Sequence, residues 1–299
     1  MAEKCGPNNR GSRARGSFKF NRALSAFSCF PTMKTSLQAL LLCGVLGGIQ
    51  MAEASDLPLV QTSGYGVNGL VLWLAADSGV SRDFNNHVTS LVDKTNNFTL
   101  SAKAPYETPI YVFNGLHGRP VLRFSGNQCL YSSDNFGAAL DHDMTIIVVA
   151  MTTASPNQLQ IPLYLGQDTA PADCRALMYY SGKEFFDGHY AGFFGEPMVA
   201  NAFVVSASSV NSALTQATFY RNGARTVVSD PAEETNGRKL ENLSAGVTLG
   251  ASAVPDSDCG WQGDIAEELV YDRQLTDAEV HSIWLQLSFK YDLPQSSAP

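Results

Sequence analysis

The sequence predicts an all-β protein, a two-sheet antiparallel sandwich with one C-terminal amphipathic helix packed on it. Three observations carry this. From Gly69 onward, short segments rich in β-branched and aromatic residues alternate with clusters of Gly, Pro, Asn and Asp, which is the spacing of a sandwich. Asn222-Gly223 stands between Phe219-Tyr220-Arg221 and residues 224–228, a hairpin turn that needs positive φ at both central positions. Only after Leu275 does the apolar pattern change to a helical period.

Taken in order, strands are expected at 69–76 (GLVLWLAA), 120–124 (PVLRF), 144–152 (MTIIVVAMT), 175–180, 199–208, 216–221, 246–251 and 261–272. Each is short and bounded by turn formers, and its composition fits a pleated, half-buried surface. The helix is announced by its start. Thr276-Asp277-Ala278-Glu279 is a capping box, with Leu275 and Val280 placed as its hydrophobic staple. Val280, Ile283, Trp284, Leu287 and Tyr291 then recur on one face, and Pro294 follows the end. A lone amphipathic helix after a run of strands must lay that stripe on the sandwich, which makes Trp284 a core residue.

Residues 1–54 do not read like the rest. Residues 1–32 carry six basic residues against Glu3 and no apolar period, so they are expected to be a disordered or mis-assigned extension: a long basic n-region, or translation from an upstream start codon. From Met33, Lys34 precedes an apolar run from Leu37 to Ile49 and the small-x-small site Ala52-Glu53-Ala54. That is the pattern of a signal peptide over 33–54, with Ser55 opening the mature chain. The run is shorter than the roughly 20 residues of a membrane span. The domain is expected over 55–299, in a secreted, periplasmic or cell-surface location without membrane insertion after cleavage.

The full chain has 20 basic and 28 acidic residues, a net charge of −8; without residues 1–54 it keeps 13 and 26, a net charge near −13. Such a field repels phosphate backbones and anionic lipid, so nucleic acid is excluded as an expected partner. Cys129, Cys174 and Cys259 survive cleavage. Cys129 reads as a small buried hydrophobe, and Cys174 and Cys259 as loop residues. No CxxC or Cys/His cluster points to structural zinc.

The string from Gly263 to Glu279, GDIAEELVYDRQLTDAE, resembles the closing strand and helix of laminin-G-like domains of the concanavalin A superfamily. Phe219 to Gly223 is similar to that family's hairpin, Leu249-Gly250-Ala251 to its penultimate strand, and Gly69 to Leu74 to its first strand. The resemblance covers residues 66–293 and implies a jelly-roll sandwich. It is weak for function, because one such fold hosts lectins, adhesion modules and glycan-cleaving enzymes. The family's strand order, with an oxidising compartment, implies a Cys174–Cys259 disulfide. The family often holds calcium through loop carboxylates, here Asp77, Asp93, Asp141, Asp143, Asp256 and Asp258. Nothing spaces these as a dedicated site, no cofactor is required, and Asp141-His142-Asp143 reads most simply as a turn.

The densest unusual stretch runs from Met178 to Phe194, with doubled aromatics at 179/180, 185/186 and 193/194. Strand alternation sends the members of each pair to opposite faces. Tyr180, Phe186 and Phe194 are taken as the outward rings, forming a surface for sugar rings, with Asp187 and His189 as polar neighbours and Lys183 nearby. The competing expectation is that both faces are covered and the aromatics serve the core.

For catalysis, the superfamily's glucanase string Glu-x-Asp-x-x-Glu is absent, and Glu184/Asp187 and Asp264/Glu267, three apart, are expected on opposite faces. Glu268 falls where an apolar residue is expected, and is assigned to an edge position or a hydrogen bond near Arg273. No catalytic residue is assigned. The leading expectation is a secreted, non-catalytic, lectin-like module binding a glycan or glycosylated surface; the alternatives are a polysaccharide-cleaving hydrolase or lyase on the same sandwich and a structural adhesion domain.

Overall fold

The computed structural model describes residues 62–104, 106–167, 173–188, 192–231, 239–241, 243–252 and 260–295. The expected extension, the expected signal peptide and cleavage site, His189, Asp256, Asp258 and Cys259 lie outside the described residues. The strands are β1 (Thr62–Gly64), β2 (Val67–Ala75), β3 (Val80–Arg82), β4 (Val88–Val92), β5 (Thr99–Ala102), β6 (Ile110–Leu116), β7 (Arg119–Ser125), β8 (Leu130–Ser132), β9 (Met144–Thr152), β10 (Gln160–Gly166), β11 (Cys174–Tyr180), β12 (Lys183–Asp187), β13 (Gly192–Pro197), β14 (Val204–Val210), β15 (Ala217–Arg221), β16 (Ala224–Val228), β17 (Val247–Leu249) and β18 (Gln262–Tyr271). The helix α1 spans Asp277–Tyr291.

They form two antiparallel sheets. The first runs β1-β2-β18-β9-β14-β15-β16, and β7, carrying β6, pairs with the N-terminal half of β18 while β2 takes the other half. The second runs β13-β12-β11-β10-β17-β8-β5-β4-β3. Between the sheets lie Leu72 and Leu74 of β2, Ile146 and Val148 of β9, Leu163 and Leu165 of β10, and Phe186, Phe193 and Phe219. On the outer face of the first sheet, Leu70, Ile147, Val149, Val205 and Leu269 meet Val280, Ile283, Trp284, Leu287 and Tyr291 of α1. Strands β9 and β18 are therefore covered on both faces, which is why MTIIVVAMT reads as a continuous apolar run.

The helix and hairpin agree with the sequence in detail. Thr276 Oγ1 accepts from the Glu279 backbone N while the Glu279 carboxylate accepts from the Thr276 N at 2.8 Å, the reciprocal capping box. Arg273 donates to both Glu279 oxygens at 3.0 and 2.7 Å; that bonding, with the cap, holds the carboxyl down at about 2. Asn222 and Gly223 both take positive φ, 47° and 83°. Trp284 is buried against the first sheet. The strand expected at 199–208 lies at Val204–Val210. Cys129 is buried beside Ala251, and burial pushes its thiol up to about 11. Cys174 is not a loop residue: it is fully buried and opens β11. Its expected pairing with Cys259 lies outside the described residues.

Glu268 departs from its expectation. It lies on β18, an interior strand, paired with Leu74 and Val148 and facing the inter-sheet layer. Arg273 is occupied by Glu279, and neither oxygen of Glu268 has a hydrogen-bond partner among the described residues. Burial raises its carboxyl well above the usual range, so the folded state holds the proton. The unfolded chain ionises near pH 4.3, so this group's contribution falls as pH rises from there toward the folded pKa. Glu268→Leu is expected to raise the unfolding free energy at neutral pH by on the order of 1–3 kcal/mol, with a smaller gain near pH 4. Urea unfolding at the two pH values checks this, and a loss of stability at neutral pH would contradict it.

Candidate functional site

The aromatic pairs fall on β11, β12 and β13, three consecutive strands at one end of the second sheet. Ser181 and Gly182 join β11 to β12, both at positive φ, 51° and 76°, the geometry that lets a two-residue turn follow the twist of its strands. Tyr180 pairs with Lys183 across that turn, so the two share a face. The outward parity therefore changes from even to odd on β12 and returns to even on β13, where Phe186 opposes Phe193 and Phe185 opposes Phe194.

The outward rings are Tyr180, Phe185 and Phe194. Phe186 is the inward member of its pair: it is 0% exposed in the inter-sheet core with Tyr179 and Phe193. This corrects the expectation for Phe186. Continuous alternation had ignored the parity change at Ser181-Gly182, and that dipeptide, a known turn former, was the signal that identifies Phe185.

Tyr180 and Phe194 stack at 6.0 Å between centroids and 10° between planes. Phe185 tilts against both, at 5.6 and 4.8 Å. Phe185 is itself buried, whereas Tyr180 is 44% exposed and Phe194 half-buried. A Cβ on Gly192 would lie 2.2 Å from Phe185 Cζ, so glycine there makes room for the ring. The Lys183 ammonium lies 5.8 Å from the centre of the Phe194 ring, and Asp187, half-buried, continues the same face of β12. An exposed ring such as Tyr180 can stack on the C–H face of a sugar, and a cation such as Lys183 beside it can donate to the sugar's hydroxyls. His189 lies outside the described residues.

The carboxylates are dispersed. Glu184 points into the sandwich, where its Oε1 accepts from Ser206 Oγ at 2.6 Å and Arg221 Nε at 3.0 Å, while Asp187 faces outward. Asp264 and Glu267 were expected on opposite faces, but a bulge between Ile265 and Glu267 sets both on the outer face of the first sheet. Their partners keep them apart in role. Asp264 accepts two bonds from Arg123, at 2.7 and 2.8 Å. Glu267 accepts from Trp73 Nε1 (2.5 Å), Tyr65 OH (2.8 Å), Tyr291 OH (2.7 Å) and Lys290 Nζ (2.7 Å), tying α1 to β2 and β18.

Of the loop aspartates expected as calcium ligands, the four among the described residues are engaged by protein donors. Asp77 pairs with Lys290 at 2.9 Å; Asp93 accepts from the backbone N of Trp73, Thr95 and Asn97; Asp141 accepts from Leu243 N, and Asp143 from Ser212 N. Among the described residues, no group of three or more His, Cys, Asp or Glu side chains is placed to hold a metal ion.

No family model matches the sequence, and no curated protein does. Solved structures do. An arabinofuranosidase complexed with arabinofuranosyl-alpha-1,2-xylobiose is similar over 78% of this chain and 62% of its own, with 12% identity and a TM-score of 0.55. The binding domain of Paraclostridial Mosquitocidal Protein 1 is similar over 73% of this chain and 52% of its own, with 14% identity and a TM-score of 0.51. Trypanosoma rangeli sialidase, in complex with the inhibitor DANA, matches 76% of this chain and 35% of its own, with 12% identity and a TM-score of 0.50. The chain thus spans less than two thirds of the length of each of these proteins, and what it shares with them is the β-sandwich fold.

Proposed function

We propose that this protein is an exported, lectin-like module that binds a carbohydrate or glycosylated surface on the outer face of β11, β12 and β13, without chemical turnover. The observation that carries the reading is the Tyr180–Phe194 stack, its Tyr180 ring 44% exposed and Phe194 half-buried, packed against the buried Phe185. Exposed aromatics gain nothing from the fold while they stay in water, and grouped ones mark a binding surface. Lys183 and Asp187 supply polar contacts at its border, with His189 as the further polar residue. A glycan-related role draws support from the similar structures, two of which are glycosidases by their titles. The laminin-G-like, concanavalin A-like assignment, secretion through the 33–54 leader and the Cys174–Cys259 bridge belong to the same proposal.

The enzyme reading has less behind it. A glycosidase pair needs two carboxyls across a cleft, whereas Glu184 is inside the sandwich and Glu267 is saturated by four donors. A polysaccharide panel scored for retention and for new reducing or unsaturated ends tests the proposal. Retention without new ends is the expected result. New ends would replace it with the enzyme reading, and no retention at all with the adhesion reading.

A further inference from the structure

Between the sheets, against β10, β11 and β12, lies a small cavity whose walls include Pro162, Leu177, Tyr179, Glu184, Ser206 and Trp261. Its origin is local. Pro162 has no N–H to offer the ladder, and β10 gains one residue on β11 between the pairs Gln160–Tyr179 and Leu163–Leu177. That bulge bends β10 at the cavity wall. The space open to the centre of a water-sized sphere is about 10 Å³, room for a single water molecule.

The polar side chains on this wall are bonded to one another, except at two atoms. The Tyr179 hydroxyl is bonded to Ser206; Ser206 Oγ donates to Glu184 Oε1 at 2.6 Å, and Arg221 Nε donates to the same oxygen at 3.0 Å. Glu184 Oε2 accepts no bond among the described residues, although the side chain is 1% exposed. Trp261 Nε1 likewise has no acceptor among them, and that residue is also 1% exposed. Its indole is held in place by Tyr179, on which it stacks at 6.0 Å between centroids and 24° between planes.

An orphan acceptor and an orphan donor thus line one cavity, and each unmade bond costs the desolvation of its group, most for the carboxylate oxygen. A molecule that satisfies both must accept one bond, donate another and fit the volume of a water. Immobilising one water costs less than leaving both groups unpaired. We infer that the cavity is a binding site for one ordered water, which accepts from Trp261 Nε1 and donates to Glu184 Oε2. The water joins β12 of the second sheet to the residue that leads into β18 of the first. It thereby fixes the strand whose Lys183 and Phe185 face outward, whatever that outer face binds. Glu268 is not on this wall, so its carboxyl is left to hold its proton.

The test is a crystal structure of the full chain at atomic resolution, with magnetic cross-relaxation between water and the Trp261 indole proton measured in solution. A single density peak within hydrogen-bond distance of both Trp261 Nε1 and Glu184 Oε2 is expected, together with a cross-peak to water whose sign is that of a molecule tumbling with the protein. The double change Glu184→Leu with Arg221→Met removes the acceptor without leaving a buried cation unpaired, and should lose both signals. The hydroxyls of Tyr179 and Ser206 remain in that variant, so a cross-peak relayed through them would persist. A cavity without density, density bonded to only one of the two atoms, or a cross-peak undiminished in the double variant would overturn the assignment.

Discussion

Phe186→Ala is expected to cost about 3–5 kcal/mol of folding stability. The ring is fully buried between the sheets with Phe193, its cross-strand partner, and Tyr179. Truncation removes the transfer free energy of the ring and leaves a cavity in the layer that joins β12 and β13 to the first sheet, and close packing there limits collapse. Removing the exposed Tyr180 ring one hairpin away should cost far less, because most of what it loses is contact with Phe185 and Phe194. Denaturant unfolding of the two variants side by side checks this. Equal losses would mean that Tyr180 is core, or that Phe186 is not.

The second large effect concerns Arg221, the partly buried cation that joins the sheets. Its Nε and Nη2 lie 3.0 and 2.9 Å from Glu184 Oε1, and its Nη1 donates to Pro197 O at 2.5 Å. The Glu184 side chain is 1% exposed, and burial raises its carboxyl against the opposing pull of Arg221 and Ser206. Arg221→Met strips away the cation and should cost about 3–5 kcal/mol at neutral pH, because the carboxylate must then stay buried and unpaired or take up a proton. With the cation gone the folded pKa rises further, so the cost should shrink as pH falls toward about 4. The double change Glu184→Leu with Arg221→Met should recover much of the loss, since an apolar pair of similar volume replaces the ion pair. A double-mutant cycle measured at both pH values checks the sign and the coupling; a single change as mild as the double would show that the pair is solvated.

How much of this was legible beforehand depends on which forces act locally. The capping box at Thr276, the stripe from Val280 to Tyr291 and the Asn222-Gly223 turn are short-range features, and all three stand in the structure as read. The long strands β2 and β9 were legible because burial on both faces leaves long apolar runs, whereas β18 carries Asp264, Glu267 and Glu268 within its span. Strands β3, β4 and β5 were not read: each has five residues or fewer, and exposed polar positions dilute its pattern. Strand β10 was hidden by Pro162, which argues against a central strand, yet the register shift between Gln160 and Leu163 accommodates it there. The bulge at Ala266 is a tertiary feature of the same kind, and it reversed the facing of Asp264 relative to Glu267.

The candidate site divides along the same line. Its residue types and its place on consecutive strands could be read from the doubled aromatics, and Tyr180 and Phe194 do face outward. The middle strand was read in the wrong phase, because one two-residue turn exchanges inward and outward positions for every residue that follows it. Polar partners such as Arg123 for Asp264 and the four donors around Glu267 come from strands and a helix far apart in the chain, which no local pattern discloses.

The central claim is that a carbohydrate stacks on the face formed by Tyr180 and Phe194. Its most direct test is affinity electrophoresis of the Tyr180→Ala, Phe194→Ala double variant in gels containing the polysaccharide that retains the wild type, with thermal unfolding measured on the same samples. Retardation should be lost while unfolding remains cooperative and the midpoint moves little. A well-folded double variant retarded as strongly as the wild type would contradict it.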